Sequence, residues 1–265
     1  MITIMQNNSI SFQANLNSPK LKFTAKDFYV NIKGYGKNKD WAKSIIETAD
    51  ATSIAIRKGS SPENILKNVA DGVRKANKWE PCMNKVLNTA ILRTERQNWE
   101  YEITNSYTYF NAGPYKTYAD RLIAVRDNPL TRPIKKIAMT RPLQDTPELF
   151  HGEPQYINKS LEHVFKICKH LFSKFTNKDI TEKDLQNINS HIAEIRWILA
   201  HATPWKRGSD AISNVFIRAI YKAFSIKTYP LEKGITLDLE AYCTELKQYK
   251  KIFTKYFKKP PAIIE

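Results

Sequence analysis

Between residues 160 and 226, apolar side chains recur at helical spacing in three consecutive runs. No other feature of the chain constrains the fold as much. Leu161, Val164, Phe165, Cys168, Leu171 and Phe172 fall on one side of a first helix. Leu185, Ile188, Ile192, Ile195 and Leu199 stripe a second, which opens with Thr181 and, three residues on, Asp184 in a capping-box arrangement. Ile212, Val215, Phe216, Ala219, Ile220 and Phe224 stripe a third. A fourth amphipathic stretch, 237–257, stops before Pro260-Pro261. One-sided helices bury their stripes against one another, so the spacing predicts a mainly α fold, a helical bundle. Only 8 of the 265 residues are glycine. That scarcity speaks against a glycine-rich nucleotide fold and against a turn-rich β-sandwich.

Two more helices are expected upstream. One covers about 40–57, with Asp40 as cap and Trp41, Ile45, Ala49 and Ile56 inward. The next opens at Ser60 or Ser61, carries Pro62 in its first turn, and turns Ile65, Val69 and Val73 inward. In 98–118, Trp99, Tyr101 and Ile103 alternate, followed by Tyr107 and Tyr109, which predicts a short β-hairpin. A short helix then ends at Asn128-Pro129. Pro133, Pro142, Pro147 and Pro154 make the next stretch a structured Pro-rich connecting loop. The expected divisions are a tail and loop (1–39), a helical and hairpin part (40–130), the Pro-rich connection (131–158) and a C-terminal helical core (159–265). No internal repeat is visible.

Lys and Arg number 42 against 26 Asp and Glu, a net charge of +16. Such a field attracts nucleic acid, anionic membrane surface, acidic protein or phosphorylated small molecules. A lysine-rich composition without a polyanion partner would give the same count. Cys82, Cys168 and Cys243 are far apart and show no CxxC spacing, so reduced thiols are expected, without a zinc site or disulfide framework. His191, Glu194 and His201 share one side of a helix, and His163 and His170 lie seven apart, but this spacing does not specify a metal site. No run of 18 apolar residues occurs, so no transmembrane segment is expected. The N-terminus lacks a charged n-region and a continuous apolar run. The expected location is the cytoplasm, or export as a bacterial effector without a classical signal peptide. The stretch KQYKKIFTKYFKK, 247–259, has an aromatic face and a lysine face. It reads as a membrane-surface or partner-binding helix, or as the last helix of the bundle.

The sharpest chemical candidate is HATPWKRGSDAIS, 201–213. Pro204 cannot continue the preceding helix. Gly208 permits a sharp reversal, and Ser209 or Asp210 would cap the next helix. The first-turn amides of that helix and its dipole favour an anion, most readily a phosphate. Lys206 and Arg207 add two charges at the same lip. The expected phosphate-binding set is Lys206, Arg207, Gly208 and Ser209. Thr203, Trp205, Asp210 and Arg218 are pocket candidates, and His201 is the candidate acid/base. A plain inter-helix turn with solvated cations is the alternative.

This stretch also resembles the Fic/Doc (Fido) superfamily over residues 160–226. That family sets His-Pro-Phe-x-x-Gly-Asn-Gly-Arg between two helices. Here the aligned run is Thr203-Pro204-Trp205-Lys206-Arg207-Gly208-Ser209-Asp210-Ala211. Pro204 and Gly208 match, and Trp205 stands for the aromatic. Thr203 occupies the place of the family's catalytic histidine, and Ser209, Asp210 and Ala211 replace its Asn-Gly-Arg. The resemblance implies a nucleotide-shaped pocket, in a nucleotide-dependent transferase with altered chemistry or a catalytically silent effector. The competing class is a non-enzymatic basic protein that binds nucleic acid or an acidic protein partner. No cofactor is required by the sequence; a nucleotide is the one the resemblance implies.

Overall fold

A computed structural model describes residues 21–28, 38–79, 90–93, 115–144 and 148–264. Helices dominate it, as the apolar stripes predict. They are α1 (Lys39–Arg57), α2 (Pro62–Ala76), α3 (Tyr115–Asp127), α4 (Pro154–Phe175), α5 (Glu182–Ala202), α6 (Ser209–Ala223), α7 (Leu237–Tyr242) and α8 (Leu246–Ile252). Two antiparallel pairs of very short strands accompany them. β1 (Arg141–Pro142) pairs with β2 (Leu149–Phe150), and β3 (Ile226–Lys227) with β4 (Ala262–Ile263). The hairpin expected near Tyr107 and Tyr109, the loop holding Gly34 and Gly36, and Cys82 lie outside the described residues.

Local chemistry sets the helix ends. Asn38, rather than Asp40, caps α1 by accepting the amides of Asp40 and Trp41. Ser61 caps α2, with Pro62 in its first turn. Thr181 and Asp184 form a full capping box on α5. The expected long helix over 237–257 is instead divided into α7, α8 and a 3₁₀ turn, Phe253–Tyr256. The break falls where the Thr244 carbonyl accepts the Trp197 indole N–H at 2.9 Å, so that carbonyl is engaged by a neighbouring helix.

α5 is the axis of the core. It packs against α4, α6, α7 and α8, while α1 and α2 pack on α6. Ile188, Ile192, Ile195, Trp197, Ile198 and Leu199 of α5 are all fully buried. α6 is buried nearly all round, and α1, α2, α4, α5 and α6 all contribute to one apolar cluster. The Pro-rich connection is folded onto the end of α5. A Cβ at Gly152 would sit 2.4 Å from the His201 carbonyl oxygen and 2.8 Å from the Ala138 side chain, so only glycine fits this approach. Among the described residues, no helix is long and apolar enough to cross a membrane.

Candidate functional site

The turn from α5 to α6 is built from two left-handed residues. Thr203 (φ 42°) ends α5 and Gly208 (φ 81°) begins α6. Between them Pro204 stops the helix, and Trp205 turns inward to near-complete burial. A short antiparallel bridge pins the turn: Leu92 pairs with Trp205, the Arg93 amide donates to the Pro204 carbonyl, and the Lys206 amide donates to that of Ile91.

Gly208, not Ser209 or Asp210, occupies the cap position, and no side chain caps α6. Ser209 is nearly buried. Its hydroxyl donates to the Trp205 carbonyl and accepts the Trp205 amide, at 3.0 and 3.1 Å. It braces the turn and does not point out at a ligand. Among the described residues, no side chain accepts from the first-turn amides of α6, and they carry the positive end of the dipole. Arg207 beside them is exposed and makes no ion pair among the described residues. Lys206 is half-buried. A further cation comes from α2. Nη1 of buried Arg74 lies 3.7 Å from where a Gly208 Cβ would stand. Asp210 would repel an anion if its charge stood alone, but it is ion-paired with the buried guanidinium of Arg196.

Arg93 and the Pro-rich connection also meet this turn. Arg93, fully buried, donates Nη1 to the carbonyls of Ala202 (3.1 Å) and Thr203 (3.2 Å), and Nη2 to that of Gly152 (2.8 Å). It places a cation at the negative end of α5 and ties that end to the connection. The Thr140 hydroxyl donates to the His201 carbonyl at 2.8 Å. The Thr203 hydroxyl lies 3.4 Å from Nδ1 of His151. Burial, then the charges of Arg93 and Arg207, push the His151 imidazole down to about 3. The neutral ring is thus held beside the turn at all ordinary pH.

His201 does not stand at the lip, which corrects its assignment as the acid/base. It is fully buried, its ring 4.0 Å from that of Trp197. Nδ1 and Nε2 face the carbonyls of Thr140 and Ala241 at 3.2 and 3.0 Å. Burial lowers it to about 4. Because that lies below 6.5, the stability it contributes is present above pH 6.5 and is lost as pH falls through 4. Arg218 is also removed from the pocket set. It is fully buried and bonds Asn214, Thr228 and the Tyr229 carbonyl, with Asp27 at 3.7 Å. Glu194 pairs with His163 and Lys250 rather than with His191, whose Nδ1 donates to the Asn187 carbonyl. Among the described residues, no group of three or more His, Cys, Asp or Glu side chains is placed to hold a metal.

The sequence reading named Arg207 and Gly208 as candidates but not Arg74 or Arg93, which the structure brings to the same turn. Each acts on residues far along the chain, Arg93 across 59 to 110 positions, and no local pattern announces that. His151 carried one visible signal, its place beside Gly152 in the Pro-rich connection.

Comparison with known families gives one match. The family model AvrB_AvrC, described as an avirulence protein, matches residues 106–260, more than half of the chain. No curated protein matches it. The family finding overturns the Fic/Doc assignment, and the transferase reading drawn from it is left without support. Pro204 and Gly208, the two residues shared with that motif, have a local reason. One ends α5 and the other supplies the positive φ of the reversal.

Proposed function

The chain belongs to the AvrB_AvrC avirulence-protein family, and from that premise we propose that it is an exported bacterial effector that holds a phosphate-bearing ligand at the start of α6. One observation carries the ligand half of this reading. The helix opens at Gly208 with no side-chain cap, while Arg207 stands exposed beside it and Arg74 lies against Gly208. An uncapped helix start offers directed amides and a positive dipole to an anion. Arg207 adds a guanidinium that can grip phosphate oxygens in pairs. The ion pair with Arg196 offsets the charge of Asp210 in the first turn of the helix. Thr203 and His151 meet beside the turn, and neither carries a negative charge.

Thermal-shift measurements against inorganic phosphate, pyrophosphate and a set of nucleotides test this. A ligand present at 100 times its Kd stabilises the fold by about 2.7 kcal/mol, a shift of several degrees. The expected result is stabilisation by at least one of these anions, abolished or sharply reduced in Arg207→Ala. Since Arg207 is exposed, that variant should unfold at the same temperature as the parent without ligand. Stabilisation of equal size in both proteins would place the ligand elsewhere.

A further inference from the structure

The segments 226–233 and 256–263 run side by side as an extended antiparallel ribbon. Ile226 pairs with Ile263 and Lys227 with Ala262. Leu231 bridges Phe257. The Lys258 amide donates to the Pro230 carbonyl, and the Glu232 amide to that of Tyr256. With the preceding turn, Phe253–Tyr256, this ribbon carries Lys227, Lys233, Lys255, Lys258 and Lys259, all exposed. Glu232 is the one carboxylate within 226–233 and 253–264. None of the five lysines forms an ion pair among the described residues. Two of them converge on one ring: the ammonium groups of Lys227 and Lys259 lie 5.3 and 5.9 Å from the centre of Tyr229. Lys251, exposed on α8, extends the same run of chain.

The character of this surface narrows its partner. The segments 226–233 and 253–264 contain no arginine, and Arg218, which bonds Thr228 and Tyr229, is fully buried, so the ribbon's own side chains offer no planar fork that reads bases or grips one phosphate in bidentate fashion. The neighbouring aromatics Tyr249, Phe253, Tyr256 and Phe257 are all buried in the core. Only Tyr229 is partly open, which leaves no platform for stacking successive bases. What remains is a set of flexible point charges on a two-stranded ribbon. That suits a diffuse, planar field of negative charge better than a shaped anionic partner.

We propose that the lysine ribbon formed by 226–233 and 253–263 is a docking surface for anionic lipid bilayer, engaged electrostatically and without insertion. It stands apart from the α6 site and does not depend on it. Of the two readings of 247–259, the aromatic face follows the second and packs into the bundle, and the exposed lysines face outward.

Co-sedimentation of the full chain with vesicles tests this. The vesicles are phosphatidylcholine alone, or phosphatidylcholine with roughly a third phosphatidylserine, at about 0.1 M salt. The variant carries Lys227→Gln, Lys255→Gln, Lys258→Gln and Lys259→Gln. The control carries Lys43→Gln, Lys58→Gln, Lys67→Gln and Lys166→Gln, equally exposed and equally depleted in charge. The expected result is binding only to the phosphatidylserine vesicles, weakened about a hundredfold in the ribbon variant and less than about tenfold in the control. Equal losses in the two variants would reduce the effect to net charge and overturn the proposal. So would absence of binding to phosphatidylserine. Tighter binding of the parent to a DNA or RNA oligonucleotide, lost in the ribbon variant, would assign the surface to nucleic acid instead.

Discussion

Arg93→Met is expected to cost about 3 kcal/mol or more of folding stability, since each buried acceptor left without a donor costs about 1–3 kcal/mol. Three carbonyls lose their partner at once: Ala202, Thr203 and Gly152. Two of them belong to the negative end of α5, where the lost positive charge was favourable as well. The site should respond too. Arg93 fastens the α5–α6 turn to the Pro-rich connection, and its charge is one of the forces holding His151 low. In the variant, the His151 value should rise toward 6.5. Urea denaturation gives the stability, and an NMR titration of the imidazole gives the second effect. A variant within about 1 kcal/mol of the parent, with His151 unmoved, would mean that the turn is held by its bridge to 91–93 alone.

The second large effect is expected at Arg196→Met, and it should depend on pH. Arg196 is fully buried and paired with Asp210. Removing one member of a buried pair typically costs about 3–5 kcal/mol; with Asp210 partly exposed, about 3 kcal/mol is the expected loss. Asp238 sets the pH dependence. Burial and the charge of Asp210 push its carboxyl up to about 7, and Arg196 opposes them. A carboxyl whose folded value is raised favours the fold when protonated. The stability it contributes is complete below about 4 and is lost as pH rises through 7. Without Arg196, the ionised Asp238 has lost an attracting charge. Arg196→Met should therefore destabilise more at pH 8 than at pH 5, where Asp238 is already neutral. Adding Asp238→Asn should remove that difference. Urea midpoints for the two variants at both pH values check this, and an equal loss at pH 5 and 8 would remove Asp238 from the account.

The helical architecture was readable because each stripe repeats locally. Leu185 through Leu199 specify a buried face without reference to any distant residue, and Thr181 with Asp184 marks its start. The α5–α6 reversal was readable for the same reason, from Pro204 and Gly208. The identity of the cap was not. Ser209 has the chemistry of a cap, yet its hydroxyl closes back on Trp205, because Trp205 is drawn into the core and the turn tightens around it. The role of His201 was misread because the stripe that buries Leu199 also carries His201 under the Pro-rich connection, and the packing of that connection is a long-range event. Arg74 and Arg93 were invisible for that reason. Asp210, a cap and pocket candidate from its position, is instead paired with Arg196 one helix away. The division of 237–257 into pieces depends on the Trp197 indole reaching the Thr244 carbonyl, a contact between elements that no periodicity encodes.

The central claim is that the uncapped start of α6 receives an anion. Two-dimensional amide NMR during titration with pyrophosphate tests it most directly. The account predicts saturable shifts at the amides of Gly208, Ser209, Asp210 and Ala211, absent in Arg207→Ala. Shifts confined to lysine-rich surfaces, with those four amides unmoved at saturation, would contradict it.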